Sequence, residues 1–308
     1  MLFSGGIRGF LGRHSCIFSG GRAACVLEHF MAKKNGLAKA GLILVFLVCV
    51  LVVFAVPLAV SSRWGDGAAG TARVAVGVLF LVAAVTAYQF KKSKEYWLVF
   101  FACFTAAVAV LMGRGFSDYG PKMLYIAAGT PKGIAIAKLS ESVIVLFFVL
   151  LLTIMVRSDL ASIYLGRGET RRAFAIGGVA FAVLLIVGIV QALVQGAGVV
   201  RLAKWLPWIL VFALANGFME ELLFRGLFLR RLEPLVGFGA ANVLTALAFA
   251  VSPMKIGFVS NVFAFAGITF VLGLVWGYVI QKTDTLWGAA LFHAGADVLI
   301  IVGVFGAM

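Results

Sequence analysis

Three ionisable residues sit in an apolar setting within Asn216-Gly-Phe-Met-Glu-Glu-Leu-Leu-Phe-Arg-Gly226: Glu220, Glu221 and Arg225. Residues four apart share a helix face, so Glu221 and Arg225 are placed to form an ion pair. Glu220 is rotated about 100° from Glu221 around a helix. It is the freer carboxylate and the better placed to take a proton from water. A second constellation is His293-Ala-Gly-Ala-Asp297, again four apart and on one face, with small residues between that let another helix come close. His293 is the sole histidine after Met31. Two carboxylates on one segment, with an imidazole and a carboxylate on another, are the parts of a general acid–base site or of a metal site.

The elements that carry them are membrane spans. The 308 residues are 63% hydrophobic and 12% charged, against about 25% charged in ordinary soluble domains. That excludes a cytosolic globular enzyme, a disordered chain and a disulfide scaffold. The expected fold is an all-α polytopic integral membrane protein. Runs of the 17–25 residues that span a bilayer lie near 40–60, 74–90, 96–112, 139–156, 173–195, 206–228, 237–252, 258–280 and 286–306, so eight or nine transmembrane helices are expected. Stretches 113–138 and 157–172 read as connections. Burying a charge at the bilayer centre costs about 2.5–3.5 kcal/mol on insertion scales. Intramembrane Glu220, His293 and Asp297 are therefore a functional site by default, whereas Glu221–Arg225 reads as a structural clamp. Glu141 reads as an interfacial residue at a span end.

The net charge of +14 is assigned to basic loops against anionic lipid, not to nucleic acid. The Lys/Arg excess falls on the side holding the N-terminus, which predicts a cytoplasmic N-terminus in a bacterial cytoplasmic membrane. Cys16, Cys25, Cys49 and Cys103 have no C-x-x-C spacing, so neither a disulfide framework nor a zinc ribbon is expected. Residues 1–30 read as a dispensable tail or an upstream mis-start, because Met31-Ala-Lys-Lys precedes the first apolar run as a start should. Residues 31–200 form the N-terminal transmembrane helices, nearly free of ionisable groups inside their spans. Residues 201–308 form the part that bears the chemistry.

Glu220-Glu221-x-x-x-Arg225 resembles the first motif of the CPBP family, the CAAX-prenyl-protease and bacteriocin-processing intramembrane proteins also called Abi. Gly273 to Trp287 followed by His293-x-x-x-Asp297 resembles its last motif and lead-in. The resemblance covers roughly residues 205–300. It implies a helical intramembrane endopeptidase, labelled a metalloprotease, with a polar cavity within the bilayer. In it Glu220 would activate water and Arg225 would organise the site. His293 and Asp297 would stabilise an oxyanion or, with Glu220, hold zinc. The partners implied are membrane lipids and a protein or peptide substrate. One motif departs: where the family has F-x-x-x-H, this chain has Phe249-Ala-Val-Ser-Pro253, and proline has no side-chain donor, acceptor or metal ligand. A weakened endopeptidase, a non-catalytic relative acting as a scaffold or immunity-type protein, and a small proton-coupled transporter are the readings that remain.

Overall fold

The computed structural model describes residues 36–166, 168–251 and 261–306. The expectations for residues 1–30 and for Pro253 lie outside the described residues. All regular structure among the described residues is helical: α1 (Gly36–Gln89), α2 (Trp97–Phe116), α3 (Tyr119–Met123), α4 (Pro131–Met155), α5 (Thr170–Val194), α6 (Val199–Glu221), α7 (Leu229–Val236), α8 (Phe238–Val251), α9 (Val262–Thr283) and α10 (Trp287–Gly306). Among the described residues, seven helical stretches are long and apolar enough to cross a membrane. Two of the expected spans, 40–60 and 74–90, merge into α1, which is broken at Gly65 by a backbone of φ 85°, ψ 175°. Glycine alone enters that region without a steric penalty. The expected span at 237–252 is the 14-residue α8. At 1.5 Å per residue its described part covers about 21 Å, against a hydrocarbon thickness of about 30 Å.

Two other boundaries differ from expectation. Helix α4 begins at Pro131, eight residues before the apolar run. Thr130 caps it by accepting from the Gly133 N–H, with proline at the first position, the preferred chemistry of a helix start. The polar first turns, which carry Lys132 and Lys138, hid this start. The run near 206–228 is α6, a π-turn over Leu222–Gly226, and then α7. The stretch 199–236 is thus continuous in helicity but not in geometry.

Helix α6 lies between two groups of helices. On one side it packs on α4, which in turn packs on α2, and α2 on α1. On the other it packs on α10, which packs most extensively on α5, while α8 pairs with α9. Small residues set these approaches. A Cβ on Gly217 of α6 would lie 2.7 Å from the backbone nitrogen of Ala294 on α10, and one on Gly177 of α5 would lie 2.2 Å from the carbonyl oxygen of Gly288. Bilayer helices associate through such close backbone packing, because lipid offers no hydrophobic drive between them. The small residues around His293 therefore act as the spacing predicted. They bring α10 against α5 and α6, and His293 against the glutamates.

Candidate active site

All five ionisable residues singled out in the sequence meet. Glu221 and Arg225 are fully buried, at 0% exposure each, and Arg225 Nη1 donates to Glu221 Oε1 at 2.7 Å. The π-turn begins immediately after Glu221, with the Leu227 N–H donating to the Leu222 carbonyl. Such single-turn bulges recur at functional sites. The clamp reading of this pair is incomplete, because the same Oε1 lies 2.9 Å from Nδ1 of His293. A carboxylate facing Nδ1 takes the proton of that nitrogen as a hydrogen bond and leaves Nε2 to face the reaction space. Nε2 lies 3.4 Å from Glu220 Oε2 and 3.7 Å from Asp297 Oδ1. Asp297 is turned by Asn216, whose Nδ2 donates to Oδ2 at 2.9 Å.

Aromatic rings hold the network. Trp276 stacks on the imidazole with ring centroids 4.0 Å apart and planes within 10°, and Phe249 meets it edge-on at 5.3 Å. The Arg225 guanidinium lies over the Phe249 ring at 4.7 Å and over Trp276 at 5.6 Å. A cation desolvated against such faces gains about 2 kcal/mol. Gly273 leaves the room: a Cβ there would come within 2.8 Å of Arg225 Nη2. Phe249, the first residue of the divergent middle motif, is thus a wall of the site.

Glu220 differs from its neighbour. Its side chain is 26% exposed, against 0% for Glu221, and it lines a cavity of about 80 Å³ together with Arg73, Arg114, Lys138 and Glu141. Glu141 lies ten residues into α4, paired with Lys138 at 2.6 Å. Residues 31–200, expected to carry almost no ionisable groups inside their spans, supply four at this cavity: Arg73, Arg114 and Lys138 lie just outside the expected spans and Glu141 inside one. Sequence reasoning gave these four no part in the site and saw no contact for Asn216, nor for Phe249, Gly273 and Trp276, which it placed only within motif segments. Asn216 had a signal, being one helical turn before Glu220. The cavity residues had none, because membership of a shared cavity is tertiary.

The expected zinc ligands Glu220, His293 and Asp297 converge on Nε2. Yet among the described residues no group of three or more His, Cys, Asp or Glu is arranged to hold a metal ion. Nδ1 of the histidine and Oδ2 of the aspartate are engaged by Glu221 and Asn216, which leaves Nε2 and Oδ1, 3.7 Å apart, as the remaining donor atoms. The arrangement suits proton transfer: a partly exposed carboxylate beside an imidazole whose other nitrogen is fixed.

No curated protein and no solved structure matches the chain. Residues 202–299, the segment that contains Asn216, both glutamates, Arg225, Trp276, His293 and Asp297, match the family model described as type II CAAX prenyl endopeptidase Rce1-like.

Proposed function

We propose that the protein is an intramembrane endopeptidase in which Glu220 activates water against a peptide bond. The observation that carries this is the split between adjacent glutamates. Glu221 is sealed in contact with Arg225 and His293, while Glu220 borders a cavity with its carboxylate 3.4 Å from Nε2. In the step, Glu220 takes a proton from water and the resulting hydroxide oxygen bonds to the peptide carbonyl carbon. The carbonyl electrons move to the oxygen, which accepts a hydrogen bond from Nε2–H of His293 in its doubly protonated, imidazolium form, whose Nδ1–H is held by Glu221. On collapse the C–N bond breaks, and the proton held by Glu220 passes to the leaving amine. Asn216 keeps Asp297 turned, and Asp297 balances the charge of the imidazole. General acid–base assistance of this kind contributes about 10²–10⁴ in rate.

The family name points to a substrate class: peptides ending in a prenylated cysteine followed by three residues, the C-a-a-X pattern. The test is cleavage of an S-farnesyl peptide ending Cys-Val-Leu-Ser by the detergent-purified protein. Glu220→Gln should abolish cleavage while the protein accumulates in membranes as before. Equal cleavage by the variant would remove Glu220 from the mechanism. Pro253, in the place of the family's middle histidine, favours a second reading, a non-catalytic relative that keeps the polar network for folding. That reading predicts no Glu220-dependent hydrolysis of any peptide.

A further inference from the structure

The ends of α1, α2 and α4 farthest from Glu220 enclose an open groove. Its Trp97, on α2, lies about 25 Å along the helix from Arg114 of the Glu220 cavity, at 1.5 Å per residue. Helix α2 packs on both α1 and α4 and forms the floor, with Trp97 and Phe101 one turn apart on it. Leu81, Val85 and Tyr88 share one face of α1 and make one wall, and Met155 at the end of α4 stands on the other. These four wall residues are exposed, so the groove is open to the surroundings of the bundle. Tyr88 meets Trp97 edge-on, with ring centroids 5.3 Å apart. Tyrosine and tryptophan gather at the level of lipid headgroups, and the helices terminate at this level: α1 ends at Gln89, α4 at Met155, and α2 begins at Trp97.

The polar rim of the groove is basic. Arg157 lines it, and Lys94 lies with Nζ 5.2 Å over the Tyr88 ring. Arg157 is exposed and makes no ion pair with another described residue. The acidic neighbours are Glu95, beside Lys94 in the chain, and Asp159, whose carboxylate caps the following turn by accepting from the Ala161 N–H. Arg157 also has a left-handed backbone, φ 55°, one residue past the cap of α4. Glycine enters that conformation freely and commonly ends helices there, whereas any other side chain meets a steric penalty. An arginine in a glycine position puts a guanidinium at the mouth of the groove at a cost to the fold. Its fork matches phosphate oxygens in shape and charge. An apolar channel below two cations and a pair of interfacial rings is the complement of an acyl chain joined to an anionic phosphate. A soluble anion would leave the channel unused.

We propose that this groove is a binding site for one anionic phospholipid, with an acyl chain along Leu81, Val85 and Phe101 and the phosphate on Arg157 and Lys94. The site needs no peptide cleavage to be read. Full-length protein in a non-ionic detergent is titrated with phosphatidylglycerol or with phosphatidylcholine of the same acyl chains, and the first bound lipid is followed by native mass spectrometry. A basic residue near a lipid surface favours anionic lipid by about fivefold, so two should favour phosphatidylglycerol by about 30-fold. Arg157→Gly should lower that preference by about fivefold with Tm little changed, since the steric penalty relieved offsets the freer unfolded chain. Adding Lys94→Gln should erase the preference. Val85→Trp, which fills the groove from an exposed position and leaves the charges in place, should weaken both lipids. Lys91→Gln with Lys92→Gln removes two cations of the same connection that do not line the groove, and should change the preference little. Equal binding of the two lipids by the unaltered protein overturns the site. So does a preference that survives Arg157→Gly with Lys94→Gln, or a loss in the Lys91 and Lys92 variant as large as in that pair, since either leaves only diffuse attraction of lipid to basic loops. Unchanged binding in Val85→Trp overturns the groove as the seat of the acyl chain.

Discussion

Replacing each adjacent glutamate by glutamine should separate chemistry from architecture. Glu221→Gln keeps the shape of the side chain but removes the negative charge facing Arg225, and both groups are fully buried. Removing one partner of a buried pair costs about 3–5 kcal/mol, because the other charge is left uncompensated. Arg225 Nε and Nη2 already lack hydrogen-bond partners, so no other group is positioned to take over. On the scale of about 2–4 °C per kcal/mol for domains of 150–250 residues, the loss is about 6–20 °C in Tm. Glu220→Gln removes a charge that is 26% exposed and 3.4 Å from its nearest partner, and should shift stability by no more than about 1 kcal/mol. Its effect falls on rate instead, by about 10²–10⁴. The double variant Glu221→Gln with Arg225→Met removes both charges and should recover most of the lost Tm, since an apolar replacement of a buried pair is often close to neutral. Unfolding can be followed in detergent with a thiol-reactive fluorogenic dye reading Cys103, which is fully buried. The reasoning is refuted if Glu220→Gln destabilises as much as Glu221→Gln, or if the double variant melts no higher than Glu221→Gln alone.

Gly273→Ala should cost about 1–3 kcal/mol by overpacking, because the new Cβ meets Arg225 Nη2 at 2.8 Å and Ala246 at 3.2 Å; Gly267→Ala in the same helix, with nothing within 4 Å, should leave Tm unchanged or slightly raised, and equal melting of the two would refute the close approach. Asn216→Ala strands a buried carboxylate oxygen that now accepts at 2.9 Å; a loss of about 1–3 kcal/mol, with a lower cleavage rate, is expected in the same dye assay. Elemental analysis of the purified protein should find well below one zinc per chain, equally in Glu220→Ala and His293→Ala; near-stoichiometric zinc that disappears in both variants would make Glu220 and His293 ligands.

The sequence made the ionisable members of the site legible, because a charge in an apolar run is expensive and therefore informative. Their partners were less legible. Glu221 and Arg225 are a helical turn apart and could be paired from spacing, but Glu221 and His293 are 72 positions apart, and no local rule joins them. Trp276 and Phe249 look like any aromatic in a bilayer until their rings are found against the imidazole. The basic cavity was not legible for a physical reason: Arg73, Arg114 and Lys138 lie near the ends of apolar runs, and their meeting at one cavity depends on tertiary packing. The spans were legible as apolar runs. Their joints were not, since the break at Gly65 depends on backbone geometry rather than composition.

Under the proposed mechanism, the consecutive glutamates let one helix serve two incompatible requirements. A base that activates water must reach a cavity, whereas a carboxylate that fixes an imidazole works best sealed from water, where its interactions are strongest. Neighbouring residues on a helix point about 100° apart, so a single pair of positions can address both environments. Glu221 faces α10 and the aromatic walls at 0% exposure, and Glu220 faces the cavity built by α1, α2 and α4 at 26%. His293 lies between them, with Nδ1 on the sealed acid and Nε2 toward the open one. The same division explains why the segment bearing the motif does not complete the site. The sealed half is furnished by α8, α9 and α10. The open half has to be walled by the N-terminal helices, and what they contribute there is positive charge.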